Sequence, residues 1–166
     1  MEPRSGCPIN AAVEVLADRW SLLVLRDIVF GDRRHFRALL TGSIEGIASN
    51  ILADRLKRLI DAGILTRGTA VRGQRARFSL TEAGIQTLPI IYALGNWGLD
   101  WCPGSDELRS RQRFMRDAGP AFIEEFMDEL RARHLGAPPK PHDGPRPSER
   151  LDAACAAAAA HADRPS

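Results

Sequence analysis

The residues with chemistry to offer cluster between Arg33 and Arg77. That span holds ten basic residues (Arg33, Arg34, Arg37, Arg55, Lys57, Arg58, Arg67, Arg72, Arg75 and Arg77) against three acids (Glu45, Asp54 and Asp61), a net charge of +7. The whole 166-residue chain carries +2, and residues 102–166 carry ten basic and eleven acidic side chains. A local positive footprint in a nearly neutral chain suits a polyanionic partner. Ser49, Asn50 and Asp54 stand among these cations, and an Asn amide can pair bidentately with adenine. Contacts to base edges choose sequence, whereas contacts to phosphates set affinity and salt dependence. Ser49, Asn50 and Asp54 are candidates for the first task. Arg33, Arg34, Arg37, Lys57, Arg72, Arg75 and Arg77 are candidates for the second. Arg58 joins them as a DNA contact, although Arg55 or Arg58 could instead lie along the core edge and pair with Asp61 or a neighbour.

Other chemistries find little support. There is no Gly-rich phosphate loop, Gly-x-Ser-x-Gly elbow or His-Glu-x-x-His pair, so no enzyme is expected. Three cysteines, Cys7, Cys102 and Cys155, are too few and too far apart for a zinc site, and His142 and His161 lack partners, so neither metal nor cofactor is expected. No run of 18 apolar residues could span a membrane, and the first residues lack the apolar core of a signal peptide; the expectation is a cytoplasmic protein with free thiols. Cys7 is singled out as a candidate thiol sensor. A thiol at a helix N-terminus feels the positive end of the helix dipole, which favours the reactive thiolate. The bland alternative is a small residue packed at a subunit seam.

These side chains need elements to place them. Ile47, Ile51, Leu52, Leu56, Leu59 and Ile60 recur on one helical face, with Ser49, Asn50, Ala53, Asp54, Lys57 and Arg58 opposite. Gly63 ends this helix. Ile64 to Arg67 and Phe78 to Leu80 read as the two strands of a basic hairpin. Upstream, Val13, Leu16, Trp20, Leu23, Val24 and Ile28 predict one helix from Cys7–Pro8 to Gly31. Asp32 to Leu40 forms a second, with Phe36, Leu39 and Leu40 turned inward. A helix leading into a basic hairpin is the layout of a winged helix-turn-helix. Thr81 caps a long helix, Glu82 to Trp101, which Pro89 should kink and whose apolar face suits dimerisation. Asp106–Asp117 and the stripe Phe122, Ile123, Phe126, Met127 and Leu130 form a helical appendage ending at Gly136. From Ala137 onward six prolines in thirty residues suggest a disordered linker within a Pro/Ala-rich tail; the run Ala156 to Ala160 could be partly helical, although nothing specifies a packing surface for it. The expected fold is therefore mainly α with a small antiparallel β-hairpin, divided as 1–101 (DNA binding and dimerisation), 102–136 (appendage) and 137–166 (tail).

The chain resembles the HxlR-type winged helix-turn-helix transcription regulators over about residues 7 to 101. The resemblance rests on Cys7-Pro8 followed by Trp20, Leu23 and Leu25; on Phe36 and Leu39, then Gly46-Ile47, Leu52, Arg55-Leu56, Leu59, Gly63-Ile64-Leu65 and Arg67; on Phe78-Ser79-Leu80-Thr81 with Gly84; and on Leu88-Pro89, Leu94 and Trp97-Gly98. It implies a homodimeric DNA-binding repressor or activator on a roughly palindromic operator. Some members of that family use a cysteine at the place of Cys7 to sense oxidants or electrophiles. Two departures stand out: Gly73-Gln74 in the wing, where many members carry proline, and Ala48, where a Ser often begins the recognition helix. Two other readings remain open. Tyr92, Trp97, Trp101, Phe114, Phe122 and Phe126 could line a pocket for a small-molecule effector between the long helix and the appendage. Alternatively, a winged helix could bind protein rather than DNA.

Overall fold

The computed structural model describes residues 6–68 and 75–162. They form two compact units, which meet in the sequence between Ile85 and Gln86. This division falls ahead of the long helix, within which Pro89 acts differently from expectation. Instead of kinking one helix it starts another: α5 (Glu82–Ile85) ends, and α6 (Leu88–Trp101) begins with the proline in its first turn, where the missing N–H costs nothing.

The first unit contains α1 (Pro8–Leu16), α2 (Arg19–Gly31), α3 (Phe36–Gly42), α4 (Ser49–Asp61), β1 (Leu65–Arg67), β2 (Phe78–Leu80) and α5. The expected helix from 7 to 31 is split. Asp18 takes an extended conformation and its carboxylate accepts the amides of Trp20 and Ser21, both at 3.0 Å, which starts α2 afresh. Asp32 adopts a left-handed conformation at the end of α2, so α3 starts at Phe36, later than expected. Leu25, Ile28 and Val29 of α2, Leu39 of α3, and Leu52, Leu56 and Leu59 of α4 form the core with Leu65, Leu80 and Ile85.

The exit of α4 is set by Gly63 (φ 72°). Gly63 N–H donates to Ile60 O and Ile64 N–H to Leu59 O, both at 2.9 Å, which satisfies the last carbonyls and aims the chain into β1. The two strands pair antiparallel, Leu65 opposite Leu80 and Arg67 opposite Phe78. Thr81 caps as expected: Gly84 N–H donates to its hydroxyl oxygen at 3.1 Å, and that hydroxyl donates to Gly63 O at 2.6 Å.

In the second unit α6 lies against α7 (Asp106–Leu135), which bends at Gly119 (φ 77°) ahead of Pro120. Gln112 donates to Tyr92 O at 3.0 Å and Asn96 Oδ1 at 2.9 Å, an approach that Gly95 permits. The tail expected to be disordered contains α8 (Pro147–Ala162). Its start is held from outside the helix: Glu129 accepts Ser148 N–H at 2.9 Å and Ser148 Oγ–H at 2.5 Å, and Leu151 is buried. The proline count signalled the loop but not the helix beyond it.

A Cβ at Gly84 would lie 2.3 Å from Ile64 O, a backbone atom that cannot rotate away. Gly84→Ala should therefore destabilise the first unit by about 1–3 kcal/mol, as overpacking does. Urea denaturation followed by far-UV circular dichroism measures this, and an unchanged midpoint would refute the close approach of α5 to the Ile64 carbonyl.

Candidate nucleic-acid interface

The outer face of α4 is open. Ser49, Asn50, Asp54, Lys57 and Arg58 are all exposed, while Leu52, Leu56 and Leu59 fill the opposite side. Ala48 occupies the N-cap and supplies no side-chain acceptor, so the first turn of α4 presents uncapped amides beside Ser49 and Asn50. Arg37 on α3, Arg67 on β1, and Arg75 and Arg77 before β2 are also exposed. The guanidinium groups of Arg37, Arg58, Arg67, Arg75 and Arg77 make no ion pair or hydrogen bond with the described residues. Lys57 lies 2.6 Å from Asp61, which raises the lysine's pKa through the hydrogen bond, but both groups stay in solvent. Asp54 pairs with Arg55 at 2.9 Å, and Arg55 reaches Asp18 at 2.9 Å, so Arg55 braces α4 against the start of α2.

Arg34 departs from expectation. It is 4% exposed and faces inward rather than toward a phosphate. Its Nε–H donates to Phe78 O at 3.0 Å, its Nη2–H donates to Ser79 Oγ, and its own carbonyl accepts Phe78 N–H at 2.7 Å. Residue 34 thereby acts as a third strand edge for the hairpin, and His35 Nδ1 lies 3.2 Å from Ala76 O beside it. Arg33 is half-buried and 3.1 Å from the buried Asp27, with its side chain lying over Gly42. Arg72 falls outside the described residues.

Phe36 and Arg67 were not expected at the site. Phe36, predicted to turn inward, is 36% exposed. With Leu56, Ile60 and Phe78 it floors a groove of about 760 Å³ between α3, α4 and the hairpin, rimmed by Arg37, Lys57, Arg67 and Arg75. Arg67 could have been identified from its place at the end of β1. The exposure of Phe36 depends on the late start of α3, which the sequence pattern did not give.

Cys7 is exposed at the N-cap of α1, and Cys102 is exposed at the end of α6; neither is in a disulfide. The aromatic set proposed for a small-molecule pocket is dispersed. Phe122 and Phe126 are core, Phe114 packs edge-on against Phe122 at 5.3 Å, and Trp97 and Trp101 are exposed. Among the described residues, no group of His, Cys, Asp and Glu could hold a metal, and no helix is long and apolar enough to cross a membrane.

The family described as HxlR-like helix-turn-helix matches residues 15–106, which take in α2 to α6. The chain belongs to that family. It is 34% identical over 96 residues to sll1512 of Synechocystis sp., an uncharacterized HTH-type transcriptional regulator, covering 57% of this chain and 70% of that one. The similarly described Rv3095 of Mycobacterium tuberculosis is 34% identical over 99 residues, 59% of this chain and 61% of its own length. Among solved structures, the candidate transcription factor PA1607 superposes with a TM-score of 0.56 at 31% identity, over 62% of this chain and 70% of that one. Together these support a DNA-binding transcriptional regulator of the winged-helix type.

The turn between α3 and α4 is tied to α2 by charge. Arg26 donates to Glu45 through two nitrogens, at 2.6 and 2.8 Å, and also to Asp27. The Arg26 hydrogen bond holds the Glu45 carboxyl below its ordinary range. Partial burial pushes Asp18 up, but the hydrogen bonds from Ser21 and the charge of Arg55 outweigh it and leave that carboxyl low as well. Both depressed groups contribute stability that is complete above the unfolded carboxylate range, about pH 4, and is lost as pH falls through the folded values. Thermal melts from pH 7 to pH 3 should therefore show a falling midpoint below about pH 5. Glu45→Gln should lower stability at pH 7 by about 1 kcal/mol and flatten the acid limb. An acid limb identical to wild type would show that this pair does not stabilise the turn.

Proposed function

We propose that the protein works as a homodimer that sets α4 of each copy into the major groove of one half of a pseudo-palindromic operator. The exposed face of α4, ringed by guanidinium groups with no partner among the described residues, carries this reading. In this reading Ser49 and Asn50 at the start of α4 meet base edges, with Asp54 further along the same face. Arg37, Lys57, Arg58, Arg75 and Arg77, joined by Arg67, are the phosphate contacts, and Arg72 belongs with them by its place in the sequence. Arg33 and Arg34 hold the fold instead. Dimerisation is supported by Ile90, Leu94, Trp97 and Trp101, a helix-spaced apolar row that α6 leaves exposed.

Selecting operators from random duplexes tests the reading directly. The expected product has two related half-sites about 10 base pairs apart, or a multiple of that, bound by two copies in sedimentation. Asn50→Ala should change preference among operators. Arg75→Ala should weaken binding to all of them and reduce the slope of log affinity against log salt by about one. The division of labour is wrong if both variants change preference alike, and the dimer is wrong if one copy binds per duplex.

The exposed thiol of Cys7 supports a second reading, release of DNA by a thiol-reactive signal. Diamide should lower the operator affinity of the wild type at least tenfold and leave Cys7→Ser unaffected. An equal response in the two proteins would remove Cys7 from the mechanism.

A further inference from the structure

We infer that the groove between α3, α4 and the hairpin binds an amphipathic organic anion, an apolar body about the size of two fused rings with one carboxylate, and that this anion competes with DNA. The regulatory half of this inference rests on the DNA-binding reading above; the binding half does not.

The floor and the rim of the groove ask for different things. Phe36 and Ile60 offer apolar surface above the buried Leu56 and Phe78, and Phe36 remains 36% exposed although it begins a helix of the first unit. A volume of about 760 Å³ lies within the range of small-molecule sites, which are mostly apolar with a few placed polar groups. Around this floor stand Arg37, Lys57, Arg67 and Arg75. Lys57 has Asp61, but no carboxylate among the described residues pairs with the other three. Cations gathered this way lower one another's stability, and an anion between them relieves the repulsion. A phosphate backbone would satisfy the rim yet leave the aromatic floor wet. A neutral apolar ligand would cover the floor and leave the rim unpaired. An apolar body carrying one carboxylate satisfies both.

The second unit offers no such mismatch in the cavity beside its proline-rich loop. In the space of about 850 Å³ beside the 137–147 loop, every lining carboxylate is matched within the second unit: Asp128 with Arg131 and Lys140, Glu129 with Arg133 and Ser148, and Glu125 with Arg150.

Competition follows from position. Arg37, Lys57, Arg67 and Arg75 belong both to the groove and to the proposed phosphate contacts, so a carboxylate held there neutralises charge that DNA needs. By linkage, DNA then weakens the anion by the same factor as the anion weakens DNA.

Calorimetric titration of the full chain without DNA tests the site, with 2-naphthoate as the probe. The expected result is one naphthoate per chain. 2-Naphthalenemethanol, which keeps the body and loses the charge, should bind at least tenfold more weakly, and so should acetate, which keeps the charge and loses the body. The exposed double substitution Arg67→Gln/Arg75→Gln, with its melting point checked, should weaken naphthoate at least tenfold. Absence of naphthoate binding overturns the inference, as does equal binding of either control. Insensitivity to the double substitution does so too, because it would place the ligand elsewhere, for instance on the exposed row of α6. A parallel titration of a mixed-sequence duplex separates the two readings. Duplex binding that saturating naphthoate leaves unchanged refutes competition. Failure of the duplex to bind in the absence of naphthoate refutes the DNA reading and leaves the calorimetric result standing.

Discussion

The first unit depends on one buried cation. Its hairpin has two strands of three residues, and such a ribbon is marginal in water on its own. Arg34 supplies what is missing. Its backbone carbonyl takes the Phe78 amide on the edge of β2 that β1 does not use, and its guanidinium takes Phe78 O and Ser79 Oγ. A guanidinium can be buried in this way only because its donors find acceptors; without them the desolvation cost would dominate. The same clip fixes where β2 begins, and hence where Arg75 and Arg77 emerge. Thr81 closes the other end by binding Gly63 O, so the hairpin is fastened both to the approach to α3 and to the exit of α4.

The cations of the basic segment thus divide by burial and partner. Arg33, Arg34 and Arg55, together with Arg26 upstream, are occupied within the protein, and their removal would be felt first as instability. Arg37, Arg58, Arg67, Arg75 and Arg77 face outward without counter-charges among the described residues. Lys57 stands between these groups. Its pair with Asp61, four residues on, lies in solvent, where such pairs add little, so phosphate can readily replace the contact.

Much of this was legible in the sequence because the signals were local. The apolar spacing of Leu52, Leu56 and Leu59 gave the orientation of α4, and Gly63 and Thr81 gave its exit and the next cap. The break at Asp18 was also written there, as an acid three residues before Ser21, but the apolar period running through Leu16, Trp20 and Leu23 concealed it. The fate of Arg34 was not legible. Charge density cannot say which way a side chain faces, and its acceptors lie 44 and 45 residues away. The helix in the C-terminal region was hidden for a related reason. Glu149 caps its start locally, but Glu129, far upstream, also holds it, and the proline-rich approach reads as disorder when considered alone.

The flank that α7 covers on α6 has a consequence for assembly. Gln112 grips Tyr92 and Asn96, Arg109 holds the carbonyls of Leu99 and Cys102, and Arg116 meets Asp100. The helix is therefore splinted along one side and bare along the other. An element with a single bare side can be matched by its own duplicate across a two-fold axis, and the matched pair then leaves this helix with no bare side for a third copy. The splint thus favours a closed pair over an open-ended filament.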